Sequence, residues 1–137
     1  MPALVIAIGN PLRGDDGVAR RVAELVAHEH IETRRVMQLT PELAAEIARY
    51  DSVIFVDASL SSTEVRMESI ANRPSVPQLT HVSTPGEIVA LSRALFGFSG
   101  RAHACHIPVR DLSAGEGLSP RATAFAEQAA SAICKIS

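Results

Sequence analysis

The sequence predicts an α/β fold, a three-layer α/β/α sandwich on a mostly parallel sheet, and three observations carry that expectation. Two short runs, the continuously apolar Ala3 to Ile8 and Ser52 to Val56, apolar after its first residue, have the character of strands covered on both faces. Segments whose apolar residues recur at helical spacing separate such runs, so strands alternate with helices along the chain. With 137 residues, 47% of them hydrophobic and 20% charged, the chain can fill the core of a single domain spanning residues 1–137.

Each element has its own signal. After the first strand, Val18, Val22, Leu25 and Val26 fall on one stripe of a helix that starts behind Asp15. A short strand is expected near Arg34 to Leu39. Thr40 then reads as an N-cap, with Pro41 at the first helical position and Leu43, Ala44, Ile47 and Ala48 facing inward until the helix ends near Tyr50. Ser52 to Val56 forms the third strand, stopping at Asp57, and the alternation Val65, Met67, Ser69 marks an edge strand. Residues 71 to 85 hold three prolines and read as a long loop. From Pro85, the pattern Ile88, Val89, Leu91, Leu95 is a helix closed by Gly97, and His103 to Val109 is the last strand. A loop over Arg110 to Gly117 leads to Ser119-Pro120, a cap with proline at N1, and to a terminal helix with Ala122, Phe125, Ala129, Ala132 and Ile133 inward.

Composition narrows the function. A formal net charge of −2, with scattered basic residues, gives no electrostatic footprint for nucleic acid or an anionic membrane, so a small molecule or a protein is the expected partner. The apolar opening has no positive segment before it, is too short to span a bilayer and ends at Gly9-Asn10-Pro11, which argues for a buried strand and a cytoplasmic protein. Cys105 and Cys134 form no CxxC pair and build neither a disulfide framework nor a structural zinc site, in keeping with a reducing compartment.

Open α/β sheets bind ligands beyond the carboxyl ends of their strands, and three chemistry-bearing residues are expected to collect there. Gly9-Asn10-Pro11-Leu12-Arg13-Gly14-Asp15-Asp16-Gly17 lies between a strand and a helix, with Gly9 and Gly14 at phosphate-loop spacing. Where such a loop needs Lys and Ser or Thr, this one has two adjacent carboxylates that would repel an anion, so it is built for a cation. One acid can serve as a helix cap worth about 1 kcal/mol, but capping does not call for two acids, three glycines and a proline in nine residues. Asp16, one place deeper, is the candidate ligand. Asp57, ending the third strand, emerges at the same edge as the first loop if the two strands are parallel neighbours; alone, it would read equally well as an ordinary solvated acid. His81, in the proline-rich loop, would add an imidazole nitrogen to two carboxylates, a mixed set suited to a borderline divalent ion such as nickel or zinc with coordination positions left open. His103-Ala104-Cys105-His106 is a competing cluster with poor geometry, because a strand sends His103 and Cys105 to one face and His106 to the other. His28 and His30 belong on an exposed helix end.

At these places the chain resembles the hydrogenase maturation endopeptidases, and the likeness covers nearly its whole length. Ile8-Gly9-Asn10-Pro11-Leu12-Arg13-Gly14-Asp15-Asp16-Gly17-Val18 looks like the family's strand-loop signature, in which the second acid binds metal. Val56-Asp57-Ala58 resembles the second ligand motif, and His81, ahead of Glu87-Ile88-Val89-Ala90-Leu91, resembles the histidine before the mid-chain helix. Gly115-Glu116-Gly117-Leu118-Ser119-Pro120 looks like the segment leading into the last helix. The resemblance implies a five-stranded α/β fold and a nickel-dependent endopeptidase that trims the C-terminus of a NiFe-hydrogenase large-subunit precursor after nickel insertion. It also implies that Asp16, Asp57 and His81 surround a nickel ion brought by the precursor, and a monomer is the default expectation. Ala19 stands where many relatives carry glycine, a change a helix interior tolerates, and Ala102 to Asp111 matches the family pattern weakly.

Two other readings make different predictions. A peptidyl-tRNA hydrolase also follows its first strand with Gly-Asn-Pro, but it needs a histidine soon after that turn and a basic face; here acids follow, and the first histidines are His28 and His30. A non-catalytic nickel- and precursor-binding module of the same fold would keep all three ligands and leave the precursor uncut.

Overall fold

The computed structural model describes residues 2–9, 17–27, 30–70, 84–109 and 120–136. Ala3–Ile8 forms β1, and five of its six residues are buried, as its unbroken apolar sequence requires of a strand covered on both faces. It pairs in parallel with Ile31–Val36 (β2) on one side and with Ser52–Ser59 (β3) on the other. Arg101–Pro108 (β5) extends the parallel set beyond β3, and Arg66–Ser69 (β4) closes the far edge antiparallel to β5, giving the order β2-β1-β3-β5-β4. The expected α/β sandwich and five-stranded, mostly parallel sheet are therefore what the chain forms.

Helices cover both faces and divide the core in two. Val18–Val26 (α1) and Pro120–Ile136 (α4) enclose Ala3, Val5, Ala7, Ile54, Val56, Cys105 and Ile107. Leu43–Ile47 (α2) and Pro85–Phe96 (α3) enclose Leu4, Ile6, Val53, Phe55 and Ala102 on the opposite face. Alternate residues of each strand thus enter alternate cores, the period-two rule applied to a sheet with two buried sides. Ser92, fully buried on α3, donates a 2.6 Å hydrogen bond to the Ala44 carbonyl and ties α3 to α2.

Several boundaries and facings differ from the sequence-based expectation. β2 begins at Ile31, earlier than Arg34, because its one fully buried residue, Ile31, pairs with Ala3 at the start of β1. The expected Thr40 cap does not form: the carbonyls of Thr40 and Pro41 accept from Leu43 and Ala44 in a turn, and α2 is five residues long with Glu42 at its N-cap position. β3 runs through Asp57 to Ser59. Leu25 and Leu95, expected inside, are 37% and 67% exposed, and the small Ala19 and Ala23 of α1 and Ser92 of α3 are buried in the helix faces against the sheet. In α4, Ala126 and Ala130 join Ala122, Ala129 and Ile133 in the core, while Phe125 and Ala132 are half-buried.

The helix ends explain the direction of each element. Thr84 caps α3, its Oγ1 accepting from the Glu87 N–H at 3.2 Å while Pro85 takes the first helical position. Gly97 closes the helix in the left-handed conformation at φ 72°, the backbone state glycine reaches without a Cβ penalty. A short connection then delivers the chain to Arg101 at the start of β5, so the first turn of α3 faces the carboxyl edge of the parallel strands.

Candidate functional site

In the strand order β2-β1-β3, the chain leaves β1 toward β2 on one side and reaches β3 on the other. The connections therefore diverge between β1 and β3, and the crevice outside the carboxyl ends of that strand pair is where open α/β sheets bind ligands. Asp57 occupies that place. It is in register with Ile8, the last residue of β1, on one side and with His106 of β5 on the other. Ala58 packs into the α1/α4 core, so the half-buried Asp57 side chain takes the α2/α3 face. The residue following Ile8, Gly9, bonds through its N–H to the Val36 carbonyl at 3.0 Å, securing the start of the acidic loop to the end of β2.

Asp16 and His81, with the loop Asn10 to Asp16 and most of the proline-rich segment, lie outside the described residues, as do the Arg110 to Gly117 loop, Ser119 and His28. The elements bracketing both candidates are in place. β1 ends beside Asp57 immediately before the acidic loop, and α1 starts immediately after it, with Gly17 at the N-cap position. Thr84 and the first turn of α3 follow His81 at the same edge of the sheet. Among the described residues, no three His, Cys, Asp or Glu side chains converge as a metal-ligand set, and two of the three expected ligands are not among those residues.

The competing cluster divides between faces as strand geometry requires. Cys105 is buried in the α1/α4 core, where burial pushes its thiol up to about 11. His103 lies toward the same face; desolvation, with help from the Arg101 charge, lowers its pKa below the ordinary 6.5, and its Nδ1 is buried without a hydrogen-bond partner. His106 points the other way, onto the Asp57 face. There its Nε2 lies 3.0 Å from Glu68 Oε1 across the β4–β5 pair. The hydrogen bond to His106, assisted by the charges of His106 and Arg66, holds the Glu68 carboxyl below its usual range against a smaller opposing effect of burial.

Sequence reasoning missed this Glu68–His106 pair and the hydroxyls beyond Asp57. Ser62 donates to Ser59 Oγ at 2.9 Å, and Ser59 and Ser61 Oγ lie 3.2 Å apart, making the edge beside Asp57 polar. The run Ser59-Leu60-Ser61-Ser62 immediately after a strand acid was the available signal. Glu68 and His106 had none, being 38 positions apart in separate segments.

No protein-family model matches the sequence, and no curated protein matches it either. Solved structures do match, over almost the whole chain. The hydrogenase 2 maturation peptidase from a Thaumarchaeota archaeon superposes with a TM-score of 0.72 at 20% identity, covering 99% of this chain and 97% of that one. The hydrogenase maturating endopeptidase HybD from E. coli gives 0.68 at 20% identity, with coverages of 99% and 91%. The NiFe hydrogenase maturation protease HycI from Thermococcus kodakarensis gives 0.66 at 22% identity, with coverages of 98% and 91%. At these identities the finding is one of fold: the chain has the architecture of the hydrogenase maturation endopeptidases.

Proposed function

We propose that the chain is a hydrogenase maturation endopeptidase that removes the C-terminal extension of a NiFe-hydrogenase large-subunit precursor once nickel has been inserted. The observation that carries this reading is Asp57, set in register with the last residue of β1 at the point where the connections diverge, in a fold shared with such peptidases. Asp16, Asp57 and His81 are the residues assigned to the site. Their two carboxylates and one imidazole make a mixed oxygen and nitrogen donor set suited to nickel.

Nickel arrives as part of the substrate. Precursor carrying the ion offers a metal for all three side chains to bind and empty precursor does not, so recognition becomes a difference between loaded and unloaded forms. Hydrolysis breaks one amide bond and adds water across it; nickel held by Asp16, Asp57 and His81 would supply Lewis acidity there, and a site carboxylate would take the proton from water. Neither Cys105 nor Cys134 is in a disulfide, which accords with action in the cytoplasm.

The test is mass spectrometry of nickel-loaded and nickel-free precursor incubated with the wild-type chain and with Asp16→Asn, which removes a charged donor at nearly constant size. Loss of a C-terminal peptide only with nickel and only with the wild type is expected. Intact precursor despite complex formation would replace the peptidase with a binding module, and normal cleavage by His81→Ala would remove His81 from the ligand set.

A further inference from the structure

We propose that the C-terminal segment of the precursor docks on the rim of the Asp57 crevice, with apolar side chains against Met37 and Leu60 and a main-chain carbonyl on a serine hydroxyl of the turn after β3. The inference rests on the peptidase reading above and adds to it the surface that holds the substrate chain.

Strand register places the rim. Val36, Ile8 and Asp57 lie level on three neighbouring strands, so β2 and β3 run about 10 Å apart with the end of β1 between them. Met37 is the first residue beyond β2, and Leu60 the first beyond β3. Both therefore stand at the carboxyl edge, and they are 71% and 64% exposed. The other large apolar side chains exposed among the described residues lie elsewhere: Leu25, Leu95 and Phe96 are in the last turns of helices that lead into the starts of β2 and β5, at the opposite edge.

Single apolar side chains on a surface need no special explanation, but the turn beside Asp57 carries a second, independent feature. Ser62 donates to Ser59 Oγ at 2.9 Å, and Ser59 and Ser61 share a further hydrogen bond at 3.2 Å. Three hydroxyls hold three hydrogens, and these two bonds use two of them. Whichever serine donates in the second bond, Ser59 or Ser61 keeps an O–H with no acceptor among the described residues. Ser59 still belongs to β3, two residues beyond Asp57, so the two side chains share a sheet face with Cα atoms about 7 Å apart.

A spare donor next to two water-facing apolar side chains matches an extended polypeptide, which brings main-chain carbonyls and apolar side chains together. Such a chain crosses the distance between β2 and β3 in about three residues, so one short segment reaches both sides of the crevice. A turn that only ended β3 would be served by the Ser62–Ser59 bond and would have no use for a leucine in water.

The experiment follows the nickel-loaded precursor, with Kd from rapid-mixing fluorescence anisotropy and KM and kcat from release of the C-terminal peptide. The variants are Met37→Ser, Leu60→Ser, the double change Ser59→Ala with Ser61→Ala, and Leu95→Ser at the opposite edge, each checked by circular dichroism and light scattering. Kd and KM should rise about ten-fold for each of the first two and about three- to ten-fold for the serine pair, with kcat unchanged, because docking contacts are made equally before and during reaction. Leu95→Ser should match the wild type. If the wild type cleaves and neither Met37→Ser nor Leu60→Ser alters Kd or KM, the docking surface is wrong and the peptidase stands; an unaffected serine pair would overturn the hydroxyl contact. A wild-type dimer that these changes turn into a monomer at unchanged KM would assign the rim to a second copy of the chain and overturn the proposal. Binding without cleavage, weakened by the same variants, would uphold the docking surface and remove the peptidase. Neither binding nor cleavage would remove both.

Discussion

Replacing Ser92 with alanine tests the join between the two helices that cover the site-bearing face. Ser92 is fully buried, and its 2.6 Å bond to the Ala44 carbonyl crosses from α3 to α2. Deleting the hydroxyl removes a hydrogen bond worth about 0.5–1.5 kcal/mol net, and leaving the buried carbonyl one partner short brings the cost to about 1.5–2.5 kcal/mol, within the roughly 1–3 kcal/mol of an unsatisfied buried group. The better helix propensity of alanine returns about 0.5 kcal/mol. A net destabilisation of about 1–2 kcal/mol follows. In urea, with a slope of roughly 2 kcal/mol/M, the midpoint should fall by about 0.5–1 M with the slope unchanged. Circular dichroism through the transition measures both quantities. A Ser92→Ala chain as stable as the wild type, or more so, would refute the reasoning, because it would mean that the Ala44 carbonyl gains nothing from its serine partner and that α3 is held by apolar contact alone.

Other consequences are equally direct. At Gly100 a Cβ would collide with the Asp51 backbone and come within 2.9 Å of the Phe98 ring, whereas at Gly97, with φ 72°, it would meet nothing within 4 Å. Thermal melts should therefore show Gly100→Ala costing about 1–3 kcal/mol and Gly97→Ala about 1 kcal/mol, and the reverse order would contradict the packing. His103 has a folded-state pKa below its ordinary 6.5, so the unfolded chain takes up a proton first as pH falls; its contribution is complete above about pH 6.5 and is lost progressively toward the lower folded value. The stability of wild type should thus drop more than that of His103→Gln between about pH 7.5 and pH 5.5. A thiol reagent should modify exposed Cys134 in the native protein and buried Cys105, with its thiol pushed up to about 11, after denaturation; rapid native reaction of both would place Cys105 outside the core.

How much the sequence disclosed depended on how each residue is buried. β1 and the first part of β3 were readable because both faces are covered, which forces an unbroken apolar run. β2 is an edge strand with one fully buried residue, so its sequence, Ile-Glu-Thr-Arg-Arg-Val, carries almost no periodicity and its boundaries slipped. Thr40-Pro41 has the composition of a helix start, but it forms a turn through backbone carbonyls, and composition does not separate the two. The helix stripes were right in phase and too generous in width: alanines approach the sheet closely, leaving Leu25 and Leu95 at the margins.

Asp57 was found for a reason that the structure modifies. As a strand-terminal acid it would be held by the strand on one side only, and its direction would depend on the following loop. Because β3 continues to Ser59, Asp57 is inside the sheet, fixed by register to Ile8 and to His106, so its placement comes from backbone pairing on both sides. That same pairing brings His106 beside it and, through the antiparallel β4, brings Glu68 to the imidazole. A local motif can reveal an acid after an apolar run, but the company the acid keeps is decided by strand order. Here β5 reaches β3 only after the chain has passed through β4 and α3, so the histidine nearest to Asp57 in the described sheet is far from it in sequence.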